Sequence, residues 1–245
     1  MRYAPNSQLI LDSPEPVRIF EADGTRVMLW RCVYGGLNGM AVAFHSKVPY
    51  VHSLLAGRTL RELDKESRCS EYKPGCALGI QRQIGLEYDK IRNQLETFLL
   101  EAHAQKQYRS VLVTGHGNGG TLATLFGYNW RVLLRADRNG VPSPHLNPPN
   151  IPLPIEVVDA NCIAITFAAS RLGNRQVANA VSQVSAVDRL AVLRFIDDNG
   201  EAFAEVPIRG LGFIHAGPEI SVNRGTSRLH HFCTEGTSRT GAGVG

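Results

Sequence analysis

A chain of 245 residues with 43% hydrophobic and 20% charged side chains can bury one sizeable core, and this composition excludes the disordered and fibrous classes. The formal net charge of +4 is small for the length. The basic residues Arg58, Arg61, Lys65, Arg68 and Arg82 are scattered, so nucleic acid is excluded as a main partner.

The amino terminus, MRYAPNSQLILDSPEP, lacks the apolar run of a signal-peptide core, and no stretch approaches a transmembrane span. A cytoplasmic protein is the expectation; unconventional export or virion packaging would leave no mark in these residues. Cys32, Cys69, Cys76, Cys162 and Cys233 are spread along the chain without a disulfide framework, which favours reduced thiols, although Cys69 and Cys76 lie near enough in sequence to bridge.

Residues 17–33 predict two strands around an Asp23-Gly24 hairpin turn. Met40 to Phe44 is a short apolar run suited to a buried strand. Leu86, Ile91, Leu95, Phe98, Leu99 and Ala102 recur at helical spacing and predict an amphipathic helix to about Gln105. A strand over Ser110–Thr114 leads through a glycine-rich turn into a helix from about Gly119 to Leu134. The proline-rich segment 139–154 reads as a surface loop, and 162–167 as another buried strand. A helix around Val177–Val184 and a strand over 191–196 follow. One domain over 1–233 with a disordered tail at 234–245 is expected. Strands alternating with helices predict a mostly parallel sheet with crossover helices.

The sharpest local feature is the turn Gly115-His116-Gly117-Asn118-Gly119-Gly120 between strand and helix. Small residues permit a strained backbone and close helix–strand packing, and the helix start aims backbone N–H groups at the turn. No Walker lysine and no dinucleotide-binding spacing accompany it, and neither a metal nor a cofactor is called for.

This turn resembles the G-H-S-x-G-G elbow of class 3 (fungal-type) lipases. In the same order, Thr166-Phe167-Ala168-Ala169-Ser170-Arg171-Leu172-Gly173-Asn174 resembles their T-F-G-x-P-R-V-G-N. The segment Gly212 to Glu219 resembles G-F-x-H-x-G-x-E, residues 42–47 stand at x-x-F-R-G-[ST], and Gly79-Ile80 at the end of H-x-G-F. The resemblance runs from about residue 40 to 220. It implies the α/β-hydrolase fold, a mostly parallel central sheet with helices on both faces.

The resemblance also assigns roles. Gly117 takes the nucleophile position, where glycine has no oxygen to attack an ester. Glu201 falls on the acid position, with Asp198 as fallback, and a solvated loop carboxylate is the competing reading. His230 or its neighbour His231 stands for the base. The oxyanion hole would draw on Asn118 and on the Ser46-Lys47 loop. His215 is read as structural, and His116 as packing beneath the turn. Three departures accumulate near this machinery: His45-Ser46-Lys47 at R-G-[ST], Ala77 at the histidine of H-x-G-F, and Asn118 at an apolar position.

The resulting expectation is a catalytically inactive lipase-like protein acting as a binding or interaction module for an acyl or lipid ligand. The alternatives are a lipid or carboxylic-ester hydrolase with a non-standard nucleophile, or a structural protein using the fold for self-assembly. Residues 47–78, with Tyr50, Leu54, Leu55 and Leu60, are the candidate lid, with plain core packing as the competing reading.

Overall fold

Asp23 and Gly24 both adopt a left-handed backbone, φ 40° and 88°, which a two-residue hairpin turn between right-twisting strands requires. They join β2 (Arg18–Ala22) to β3 (Thr25–Tyr34), and β3 pairs along its whole length with β4 (Leu37–Ser46), from Thr25↔Ser46 to Tyr34↔Leu37. The computed structural model describes residues 9–47, 60–62, 79–106, 108–138, 161–187, 190–197, 213–222 and 227–230.

From β4 onward the sheet is parallel. β4 pairs with β7 (Ser110–His116), then come β8 (Asn161–Phe167), β9 (Leu190–Asp197) and β10 (Glu219–Val222). β11 (Ser227–His230) closes one edge antiparallel to β10, and β1 (Leu9–Leu11) and β2 line the other edge beside β3. β5 (Leu60–Glu62) and β6 (Gly79–Gln81) form a separate antiparallel pair. The helices are α1 (Arg82–Lys106), α2 (Asn118–Arg138) and α3 (Arg175–Val187). The expected mostly parallel sheet is therefore present, with α1, α2 and α3 connecting its parallel strands from β4 to β9.

α2 carries much of the packing. Leu122, Leu125, Phe126 and Trp130 are fully buried where it crosses the sheet. The Phe126 ring lies 5.7 Å from that of Phe44 and 5.9 Å from that of Trp130. The buried stripe of α1 runs through Ile84, Tyr88, Ile91, Leu95 and Leu99, a helical face against the sheet and α2. Leu86, expected on that face, is instead 39% exposed because it stands out of phase with the 84–88–91 stripe.

β1, β5, β6, β10 and β11 were not apparent from the sequence; at three or four residues each they are too short to display an alternation. Cys69, Cys76 and Cys233, the proline-rich 139–154 segment, nearly all of the candidate lid and the 234–245 tail lie outside the described residues. Cys32 and Cys162 are buried and free.

Candidate functional site

β7 ends at His116, the chain turns through Gly117, and α2 begins at Asn118. Gly117 has φ 54°, a conformation that glycine adopts at little cost and other residues under strain. Its N–H donates to the carbonyl of Phe167 at 2.9 Å, which pins the turn to the end of β8, and its own carbonyl accepts from the Thr121 N–H at 3.2 Å. Close approach explains two neighbouring glycines. A Cβ on Gly115 would collide with the Gly119 carbonyl, and one on Gly119 with the Phe44 carbonyl at the end of β4.

Beneath the turn lies a buried polar network. The Ser170 hydroxyl reaches Asn118 Oδ1 at 3.2 Å, and Thr121 Oγ1 stands 2.7 Å from Ser170 Oγ and 3.3 Å from the Gly117 carbonyl. All three residues are buried. Asn118 and Ser170 stand where the motif pattern has an apolar residue and a proline, so two departures from that pattern meet and satisfy each other. Ala168 stands where it has glycine, yet keeps φ 46°. Its N–H donates to the Phe195 carbonyl at 2.8 Å, which helps hold that strained position.

The facing loop is anchored away from the turn. Ser46 Oγ donates to Glu87 Oε2 at 2.8 Å, and Thr25 Oγ1 donates to the same oxygen at 2.8 Å. The Lys47 N–H donates to the Gly24 carbonyl at 2.7 Å, continuing the hairpin ladder. A buried carboxylate on α1 thus holds the end of β4, while the Lys47 N–H is bonded to β3's turn rather than aimed toward Gly117. His45 is exposed.

Three further motif blocks converge at Gly173. It bridges Ile80 on one side and Ile214 on the other, Gln81 N–H donates to the Leu172 carbonyl, and Asn174 N–H to the Gly79 carbonyl. Asn174 also caps α3, its Oδ1 accepting from the Val177 N–H at 3.1 Å. Segments far apart in sequence are therefore joined by backbone bonds beside the turn. This convergence gives a structural reason for their motif character.

The histidines distribute differently from expectation. His116, read as packing beneath the turn, is exposed, because strand alternation puts it on the face of half-buried Thr114 rather than that of buried Val113. His215 is half-buried beside the Gly173 bridge. His230 lies on β11 opposite Glu219, which pairs with Arg194, then Thr166, then Gly115 across the sheet. Four strand spacings of ~4.8 Å put its backbone about 19 Å from that of Gly115. The strand register therefore does not bring His230 next to the turn. Glu201, Asp198, His231 and Ala77 lie outside the described residues.

Near the turn, Phe167 is 46% exposed and stacks on Phe195 at 5.5 Å, directly beside His116 in the β7–β8 register. This apolar shelf was not singled out in the sequence, where both residues read simply as strand core. Among the described residues, no cluster of histidine, cysteine and acidic side chains has metal-binding geometry. No described helix is long and apolar enough to cross a membrane.

The family model for lipase (class 3) matches residues 59–199, more than half of the chain. The chain belongs to the class 3 lipase family. Among solved structures, lipase II from Rhizopus niveus is similar at 19% identity and TM-score 0.57, over 84% of this chain and 66% of that one. The Rhizomucor miehei lipase–propeptide complex is similar at 18% identity and TM-score 0.57, over 84% and 56%. The lipase from Rhizopus microsporus var. chinensis is similar at 17% identity and TM-score 0.57, over 90% and 63%. At such identities the likeness is one of fold, the α/β-hydrolase fold, and this chain spans less than two thirds of the length of each of these lipases. No curated protein matches the chain. In this class 3 lipase fold, the turn at Gly117 is the strand-to-helix elbow at the carboxyl end of the parallel strands, where such folds place their ligands.

Proposed function

We propose that this class 3 lipase family member is catalytically silent, with Gly117 in the place of the serine nucleophile, and that it binds an acyl or lipid ligand at the elbow. One observation carries the reading: residue 117 keeps the left-handed elbow backbone, φ 54°, with no side-chain atom to act as a nucleophile. Acyl transfer through this position would need an attacking oxygen, and without the triad only about 10³–10⁴-fold over water remains to an oxyanion hole and binding.

The loop opposite supports the same reading. Ser46 and Lys47, the candidate oxyanion-loop residues, make hydrogen bonds to Glu87 and Gly24. Asn118 is the remaining candidate, its backbone at the amino end of α2, where a carboxylate is favoured by the helix dipole. The exposed Phe167, backed by Phe195, offers an apolar surface beside that end, so a fatty-acid carboxylate with its chain along the aromatic shelf fits the chemistry. Glu201 and His230 are, in this reading, remnants of the acid and base positions without a proton-transfer role. The protein acts as a cytoplasmic binding module needing neither metal nor cofactor.

The test uses the purified full chain with decanoate and, in parallel, solvent extraction followed by mass spectrometry. A saturable rise in melting temperature with decanoate, reduced by Phe167→Ala, is the expected result. Failure of decanoate to shift the melting temperature, with no acyl species in the extract, would overturn the ligand assignment. Ester turnover abolished by His230→Ala would favour the alternative, a hydrolase with a non-standard nucleophile.

A further inference from the structure

At the opposite end of the sheet from the elbow, a pocket of about 210 Å³ opens between α1 and the strands. Phe98, Glu101, Ala102 and Gln105 of α1 approach it at spacings of three, one and three, a single helical face. Arg31 and Met40, register partners on β3 and β4, face them, and Tyr108, just before β7, completes the wall. β7 alone separates Tyr108 from Gly117 by about 23 Å at ~3.3 Å per residue, so this pocket is distinct from the elbow.

Its lining combines one cation, one anion and an apolar floor. Among the described residues no ion pair occupies Arg31 or Glu101, although both line the same pocket. Tyr108 is 5% exposed and accepts a hydrogen bond from the Arg31 guanidinium. That contact steadies a long side chain that would otherwise lose rotamer freedom on binding. Met40, Phe98 and Ala102 supply apolar surface.

We propose that this pocket binds a small zwitterion with an apolar side chain, the chemistry of a single free amino acid, its carboxylate on Arg31 and its ammonium on Glu101. The two protein charges are then each matched, whereas a simple fatty acid would leave Glu101 facing a carboxylate-bearing ligand without compensation. A volume of about 210 Å³ is the scale of one amino acid rather than of a long acyl chain. Both charges are solvent-exposed, so the site has weak affinity and its binding falls with added salt.

The test titrates L-phenylalanine, 3-phenylpropanoate (no ammonium) and phenethylamine (no carboxylate) into the full chain, read by chemical-shift changes. L-Phenylalanine is expected to bind at least about fivefold tighter than either analogue. Arg31→Gln should weaken L-phenylalanine and 3-phenylpropanoate severalfold but leave phenethylamine unchanged, and Glu101→Gln should weaken L-phenylalanine and phenethylamine severalfold but leave 3-phenylpropanoate unchanged. Both positions are on the surface, so the variants should fold, and an unchanged far-UV spectrum verifies it. Equal binding of all three probes, binding of 3-phenylpropanoate strongest of the three, or no saturable shift with any of them overturns the proposal.

Discussion

The Ser170 hydroxyl donates to Oδ1 of Asn118 at 3.2 Å, joining the β8–α3 connection to the first residue of α2 beneath the elbow. Each residue alone would be a buried polar group where the class 3 pattern has an apolar residue or a proline, and each would cost stability if unpaired. With Ser170 donating to Asn118, the Thr121 hydroxyl donates to Ser170 Oγ, so one proton serves each step from Thr121 to Ser170 to Asn118.

This pairing predicts non-additive mutational effects. Asn118→Leu and Ser170→Ala should each lower unfolding free energy by about 1–2 kcal/mol, with a coupling of about 1 kcal/mol in the double variant. Urea denaturation of the four proteins measures it, and strict additivity would contradict the network.

The positive φ angles predict opposite signs at two nearby positions. Gly117→Ala at φ 54° should destabilise by about 1–2 kcal/mol, since an L side chain is strained there. Ala168→Gly at φ 46° should relieve similar strain, less about 0.5–1 kcal/mol for the added freedom of the unfolded chain. Thermal denaturation of both variants checks the signs.

These positions also mark how far the sequence could be read. The strands β4, β7 and β8 were legible as compact apolar runs, β3 from the turn that opens it, and α1 from a helical spacing that runs over enough residues to be recognised. The convergence of the motif blocks on Gly173 was not legible, because it rests on backbone bonds between segments about 40 to 90 residues apart. Ser46 appeared as an oxyanion-loop residue from its motif position. Its hydroxyl goes instead to Glu87, a buried acid of α1 to which no motif pointed. Leu86 misled in the opposite sense, as a leucine that one shifted helical phase leaves in solvent. His230 and His231 were the only histidines in the stretch where the resemblance puts the base, but the pairing order of β8 to β11 sets the distance of His230 from the elbow, and strand order is not written in any local pattern.

Glu96 predicts a pH dependence. Its carboxyl is buried in α1, and burial raises its pKa above 4.5, against the opposing effects of Arg92 and the Tyr88 hydroxyl. A carboxyl whose folded pKa is raised contributes stability that is full below the unfolded value and is lost as pH rises through the folded value. Stability measured by urea denaturation should therefore decline from this group as pH rises above about 4.5, and Glu96→Gln should flatten that part of the profile. An unchanged slope in the variant contradicts the assignment.

The buried thiols predict chemical inertness. Burial pushes Cys32 up to about 11 and Cys162 up to about 12, so neither is a thiolate near neutral pH. Iodoacetamide at pH 8 should leave both unmodified in the folded protein and alkylate both in urea, as read by peptide mass spectrometry. Rapid native labelling of Cys162 would show that the α2–β8 core opens far more readily than its packing implies.

The central claim is that the class 3 lipase scaffold here no longer performs acyl transfer. Steady-state hydrolysis of p-nitrophenyl butyrate by the purified full chain tests it most directly. The account predicts a rate indistinguishable from that of the heat-denatured protein at the same concentration. Saturable turnover that survives repurification and scales with protein concentration would contradict it.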